Sequence, residues 1–163
     1  MEINVIAAVA KNRAIGYENR LIYFIKNDLQ RFKRLTTNHT VIMGRRTFES
    51  LPKGALPNRR NMVLSKTKRV FDGCETFVSL AEALRHTHED EKVFIIGGAS
   101  LYKEALKIAD RLYLTEIEAT PAHADVFFPT LSVEEWETEN TENHPQDGDT
   151  PAYAFVDYRR KRS

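Results

Sequence analysis

The stretch Thr40-Val41-Ile42-Met43-Gly44-Arg45-Arg46-Thr47-Phe48-Glu49-Ser50-Leu51-Pro52 decides the fold class. Residues 40–43 are β-forming or apolar and end at a glycine; a short helical pattern follows until a proline stops it. They read as a strand, Gly44 as a sharp turn, Thr47 as an N-cap and residues 47–51 as a short helix. A strand that runs straight into a helix opens a parallel β-α-β unit.

The same grammar repeats on both sides. Residues 3–9 read as a buried strand, apolar on both faces apart from Asn4, and residues 27–35 as a helix capped by Asn27. Residues 61–64, 75–78 and 92–96 read as further strands. Ser79-Leu80-Ala81-Glu82 is a capping box that opens a helix over residues 80–88, and residues 100–109 form another, with Leu101, Ala105, Leu106 and Ile108 inward. Residues 111–119 then alternate, and residues 135–141 and 152–158 read as strands joined by a polar, hairpin-like connection. Trp136, Phe127 and Phe128 read as core. The pattern predicts an α/β fold: a mixed, mostly parallel central sheet of about eight strands, flanked by about four helices, with an antiparallel C-terminal edge.

Composition bounds what such a fold does. The chain has 163 residues, which predicts a single domain at roughly 100–200 residues per domain. Lys and Arg number 24 against 23 Asp and Glu, a net charge of +1. That argues against a large nucleic-acid face or a polybasic membrane surface. The basic tail from Arg159 to Arg162 reads as a solvated end. Cys74 is the lone cysteine, which excludes a disulfide framework and suits a reducing cytoplasm. No apolar run approaches the ~18 residues of a membrane span, and the start lacks the features of a signal peptide. The five histidines have no metal-like partner set, so no metal site is expected.

In an open α/β sheet, ligands bind beyond the carboxyl ends of the parallel strands. Four connections leave those ends. Gly44-Arg45-Arg46-Thr47 puts two arginines at a helix N-terminus, where the dipole already favours anions; they are either exposed side chains or partners of a phosphate. Ser65-Lys66-Thr67-Lys68-Arg69 adds hydroxyls and charge at the same edge; alone it reads as a solvated loop, and paired with Arg45 and Arg46 as a clamp for a phosphate-rich cofactor. Gly97-Gly98-Ala99-Ser100 removes two Cβ atoms before a helix, but lacks both the full dinucleotide fingerprint and the P-loop pattern. Residues 11–23, with Ala14-Ile15-Gly16 and Glu18-Asn19, are long enough to act as a lid. The lid leads to Asp28, which shares a helix face with Phe32 and Leu35. Asp28 is either an exposed acid favouring the dipole or a carboxylate aimed into an apolar cleft. In a cleft it would grip an amidine-like N–C–NH₂ edge with two hydrogen bonds and move a proton.

Taken in order, these segments resemble the dihydrofolate reductase family, in its monomeric, chromosomal, bacterial form. The segments are Val5-Ile6-Ala7-Ala8, Ile15-Gly16 with Glu18-Asn19, Asp28-Leu29-x-x-Phe32-Lys33, Val41 to Ser50, Leu56-Pro57-x-Arg59-x-Asn61, Ile96-Gly97-Gly98-x-x-Leu101-Tyr102, Leu112-Tyr113-Leu114-Thr115 and Asp125-x-Phe127-Phe128-Pro129. They span nearly the whole chain, and the Val41 to Ser50 segment is the most specific.

The resemblance implies hydride transfer from NADPH to the pterin of dihydrofolate, giving tetrahydrofolate for one-carbon and thymidylate metabolism. It assigns Asp28 to the pterin 2-amino and N3 edge and to protonation at N5, with Thr115 and Tyr23 in support. Ile6, Ala7, Leu29, Phe32, Lys33, Leu51 and Ile96 would border the substrate, and Arg59 would pair with its glutamate carboxylate. Gly44, Arg45, Arg46, Thr47, Leu64, Ser65 and Lys66 would hold the phosphate and adenosine side of the cofactor. Ala8, Ile15, Gly16, Gly97, Gly98, Ala99, Leu101 and Tyr102 would hold its pyrophosphate and nicotinamide side, with the Gly97–Gly98 bond cis. The resemblance further implies folate analogues as ligands and a cytoplasmic monomer that binds neither nucleic acid nor membrane.

Four positions depart from the family pattern. Tyr23 or Phe24 stands for its tryptophan before the acid, Lys26 for a common proline, Asn58 for a common glycine and Ser100 for a common basic residue. Two rival functions use the same fold. A pyrimidine reductase of the riboflavin pathway is disfavoured by Asp28 and Arg59, and a non-catalytic folate or nucleotide binder is encouraged only by the altered aromatic segment.

Overall fold

The computed structural model describes residues 1–162 except 19, 22, 68 and 69, and only the backbone of Arg20 and Leu21. Asn19 of the expected lid and Lys68 and Arg69 of the second basic cluster lie outside the described residues.

The strands are β1 (Glu2–Ala10), β2 (Ala14–Tyr17), β3 (Arg20–Leu21), β4 (Thr40–Gly44), β5 (Arg60–Leu64), β6 (Cys74–Phe77), β7 (Lys92–Ile95), β8 (Arg111–Ile117), β9 (Val126–Phe127), β10 (Trp136–His144) and β11 (Tyr153–Arg160). The helices are α1 (Lys26–Thr36), α2 (Arg45–Ser50), α3 (Leu80–Arg85) and α4 (Ala99–Ala105). Eight strands form one sheet in the order β10-β11-β8-β1-β7-β4-β5-β6. The pairs from β8 to β6 are parallel; β11 adds antiparallel to β8, and β10 antiparallel to β11. All eight strands read from the sequence are present, including the antiparallel edge.

Burial on both faces explains why the parallel strands are nearly continuous apolar runs. Side chains alternate between two cores with the strand period of two. Val5 and Val9 enter one core with Ile42, Met62, Ile95 and the inward residues of α3 and α4. Ile6 enters the other with Val41, Met43, Val63 and Phe94, where Phe32 and Leu35 of α1 close the layer. A third cluster joins Ile25, Ile117, Tyr153 and Phe155 beside Ala8 and Tyr23. Asn4, the polar exception in β1, is fully buried, and its amide has no partner among the described residues.

The structure corrects several local expectations. The lid segment is not a bare loop: β2 and β3 pair with each other, and β9 adds to β2, making a separate three-stranded sheet. Phe127 lies in β9 and is 45 % exposed, whereas Phe128 and Trp136 are core as expected. The alternation around Phe127 and Phe128 faces one ring out and the next in. The capping box does form, with Ser79 Oγ accepting from the Glu82 N–H at 3.1 Å, although α3 ends at Arg85.

This topology fixes the crevice. From β4 the chain steps outward through β5 and β6, then returns to lay β7 between β4 and β1. The connections therefore diverge at the carboxyl ends of β1, β7 and β4, which is where an open α/β sheet leaves room for a ligand.

Candidate active site

Asp28 is brought to this crevice by the first turn of α1. The helix begins at Lys26, with buried Ile25 at the N-cap and no side-chain cap. Asn27 is not the cap that the sequence suggests, because its Nδ2 donates to the Tyr153 hydroxyl of β11 at 3.0 Å. Asp28 instead supplies the negative charge that the helix N-terminus favours.

Across from Asp28 stands Thr115 of β8. The strand registers set Thr115 between Ala8 of β1 and Phe155 of β11. Its side chain is 2 % exposed, and its hydroxyl donates to the Asp28 carboxylate. Burial pushes the Asp28 carboxyl above the ordinary carboxylate value, and the Thr115 hydrogen bond and the Arg31 charge pull the other way. The result is an acid with a raised proton affinity, oriented by a hydroxyl that has no competing solvent.

Apolar side chains pack between α1 and the sheet. Ile6, Phe32, Leu51 and Ile96 share the second core cluster. Leu29 is half-buried and Lys33 exposed. Ala7, also expected to border the substrate, turns to the opposite face and packs on the first cluster. Of the two candidate aromatics, Tyr23 is half-buried beside Ala8 in the third cluster, while Phe24 is 75 % exposed. Of the two, Tyr23 is therefore the one that packs inward.

Arg59 lies at the other end of α1. Its Nη1 donates to Thr36 Oγ1 at 3.1 Å and its Nε to the Pro57 carbonyl at 2.9 Å. Thr36 is itself buried and donates to the Phe32 carbonyl. Arg59 has no carboxylate partner among the described residues, and partial burial lowers its pKa. A guanidinium fixed by two neutral acceptors is ready for a carboxylate. The preceding Asn58 has φ 60°, the left-handed region that glycine fills easily and that asparagine tolerates.

The second half of the site gathers where β4 and β7 end. Gly44 N–H donates to the Gly97 carbonyl at 2.8 Å. The Gly97–Gly98 bond is cis, and Gly97 has φ 132°. A Cβ at Gly97 would lie 3.2 Å from Thr47 Oγ1 and 3.5 Å from the Tyr102 hydroxyl. That hydroxyl donates to the Ile6 carbonyl at 2.8 Å. Burial pushes the Tyr102 pKa up, with a smaller contribution from Asp28, so the phenol stays protonated. One hydrogen bond thus joins α4 to β1, and another ties the end of β4 to Gly97.

The basic residues on this side are looser. Gly44 is the N-cap of α2, so Arg45 and Arg46 are already helical and Thr47 sits inside the first turn, not at the cap. Arg45 pairs with Glu49 one turn on at 3.0 Å, and Arg46 and Lys66 are exposed. Ser65 is buried, with its hydroxyl 3.2 Å from that of Thr67. Leu64 and Ile15 are half-buried against the first core, Gly16 is buried in β2, and Ala8 lies beside the third cluster. Ala99 opens α4, and Leu101 is only 6 % exposed within the first core. Thr36 and the Tyr102–Ile6 bond were missed from the sequence, since neither carries a local signal.

Comparison with known proteins agrees with this geometry. The family model "Dihydrofolate reductase" matches residues 2–160. The chain is 39% identical over 163 residues to a dihydrofolate reductase of Bacillus subtilis, covering 99% of this chain and 96% of that one. It is 42% identical over 165 residues to a type 3 dihydrofolate reductase of Salmonella typhimurium, covering 99% and 100%. A solved dihydrofolate reductase of Enterococcus faecalis, in complex with NADP(H) and RAB-propyl, superposes with a TM-score of 0.90 at 32% identity, covering 99% and 97%. Fold, motif order and full-length similarity coincide, and the chain belongs to the dihydrofolate reductase family.

Proposed function

We propose that this chain reduces dihydrofolate to tetrahydrofolate with NADPH, and that the Asp28–Thr115 pair at the end of the apolar slot carries the proton chemistry. One observation supports the reading above others: a buried carboxyl of raised proton affinity faces the same crevice as the Gly97–Gly98 cradle. The cradle fits a dinucleotide, because it is closed to a side chain at Gly97 yet lies beside the N-termini of α2 and α4.

When bound, NADPH supplies the hydride. The protein's own part is placement, exclusion of water and movement of one proton. Asp28 accepts two hydrogen bonds from the 2-amino and N3 edge of the pterin, which fixes the ring's orientation in the slot. Ile6, Phe32, Leu51 and Ile96 exclude water from the ring, with Leu29 beside them. Desolvation keeps Asp28 protonated to a higher pH than a surface acid; in that form one oxygen accepts from the pterin edge while the other holds the proton that N5 takes up, and the carboxyl becomes the two-bond acceptor once that proton has left. Thr115 holds the carboxylate in plane, and Tyr23 covers the approach to it. Arg59 takes the glutamate carboxylate in a bidentate pair. Arg45, Arg46 and Lys66 supply the charge that an extra ribose phosphate requires, which favours NADPH over NADH. The protein acts as a cytoplasmic monomer, with residues 1–163 as one catalytic unit. Among the described residues, no helix is long and apolar enough to cross a membrane.

The test is NADPH consumption with dihydrofolate, measured on folded protein. Turnover supports the reading. Tight binding of both ligands without turnover supports the binder instead, and no binding of dihydrofolate sinks both.

A further inference from the structure

Arg31 lies one helical turn beyond Asp28 on α1 and meets three elements at once. Its Nη2 donates to Asp157 of β11. Its guanidinium carbon lies 4.5 Å from the centre of the Phe155 ring and 5.7 Å from that of Tyr113 on β8. The side chains of Arg31 and Asp157 are only 13% and 18% exposed, so this is a shielded pair and not a surface one. The strand register sets Phe155 directly beside Thr115, the residue that donates to Asp28. One side chain therefore meets β8, which carries the partner of the catalytic acid, and β11 beside it.

We propose that Arg31 is a positioning residue for the reduction: anchored by Asp157 and stacked on Phe155, it fixes the first turns of α1 on β8 and β11, and holds a positive charge beside Asp28. The proposal deepens the reading of Asp28 as the proton-delivering acid and rests on it. Geometry allows two separate effects. The grip on β11 keeps the Asp28 carboxylate in line with Thr115, and the clamp prevents the guanidinium from swinging into solvent, where its charge would be screened. The groups facing Asp28 among the described residues are Arg31 on its own helix, the Thr115 hydroxyl on β8 and the Tyr102 phenol on α4. Asp157 on β11 stands behind Arg31 as its anionic partner, and the neutral Asn27 bonds Tyr153, so neither adds a positive charge. Arg31 is the only cation in this set. Its attraction, smaller than the effects of burial and of the Thr115 hydrogen bond, opposes the desolvation that raises Asp28, so losing it moves proton release to higher pH.

The test compares wild type with Arg31→Met, which keeps the apolar stem, Arg31→Lys, which keeps the charge, and Asp157→Asn, which keeps Arg31 but frees it. Two readouts are followed against pH: the single-turnover rate of NADPH oxidation by dihydrofolate, and the carboxyl resonance of carbon-13-labelled Asp28 in the ligand-free protein. Arg31→Met is expected to move both titrations to higher pH, so that on the alkaline limb it keeps about two- to threefold more of its maximal rate than wild type does. Arg31→Lys is expected to titrate near wild type with a weaker dihydrofolate KM, and Asp157→Asn to fall between them. An Asp28 resonance that titrates identically in wild type and Arg31→Met, or in wild type and Asp157→Asn should Arg31→Met not fold, overturns the proposal, as does a loss of thermal stability alone. If wild type itself shows no turnover, the functional reading fails, while the Asp28 resonance still decides whether Arg31 controls that acid.

Discussion

The two halves of the crevice are built differently. Around the proposed reacting rings, Thr115 donates to Asp28 and Tyr102 donates to the Ile6 carbonyl, two shielded hydrogen bonds between elements far apart in sequence. On the phosphate side, Arg46 and Lys66 extend into solvent and Arg45 is paired only with its helical neighbour Glu49. The difference follows from the ligand chemistry. A neutral ring and a single proton need a carboxylate held in place in low dielectric, where misplacement is costly. Phosphates carry their own charge and water, so flexible cations at the rim suffice and mainly hasten and select binding. If this contrast is right, substitutions on the first side alter chemistry and those on the second alter affinity.

The largest effect is expected at Asp28. Asp28→Asn should bind both ligands yet lower turnover near neutral pH by about 10²-fold or more, the scale of a lost general acid; single-turnover rates beside equilibrium binding would check this. The same variant should melt at a higher temperature near neutral pH. Folding raises the Asp28 pKa, so its contribution to stability is present below the unfolded value near 3.8 and is lost as pH rises through the folded value. An amide escapes that loss, and thermal melts at acid and neutral pH would show the difference between the two proteins grow with pH.

Next comes Arg59. Arg59→Ala should weaken dihydrofolate by about ten- to a hundredfold, as expected for a charge-assisted pair. NADPH affinity should change little; equal losses would mean that the link to Thr36 matters only for the fold. Gly97→Ala should do the reverse and weaken NADPH more than dihydrofolate. It forces a side chain at φ 132° and 3.2 Å from Thr47 Oγ1, a strain on the order of 1–3 kcal/mol. The smallest effect is expected at the rim: Arg46→Ala or Lys66→Ala should cost only a few-fold in NADPH affinity, and less at high salt. A hundredfold loss there, titrated in low and high salt, would break the contrast.

How much of this was legible in the sequence depended on how local each signal was. The run from Thr40 to Leu51 carries its strand, turn and helix in adjacent residues, and the structure repeats it with only the cap moved from Thr47 to Gly44. Asp28 was legible as a first-turn acid, but its partner Thr115 came only from resemblance, because nothing near either residue marks the pairing. Asn27 misled for the same reason. A capping residue by local rules, it is claimed by Tyr153 from a strand at the far end of the chain. The small sheet of β2, β3 and β9 was hidden because its strands are two to four residues long and its partner segments are distant. The ion pair of Arg31 with Asp157 likewise depends on β11 lying against β8, a topological fact and not a local one.

The central claim is that Asp28, desolvated and oriented by Thr115, governs proton delivery to the substrate. Its most direct test is the pH dependence of hydride transfer in a single turnover, measured for wild type and Asp28→Asn with both ligands saturating. Wild type should slow as pH rises through a midpoint above the ordinary carboxylate range, and Asp28→Asn should be slow throughout and lack that midpoint. The same midpoint in both proteins would show that another group supplies the proton and that Asp28 only orients the ring.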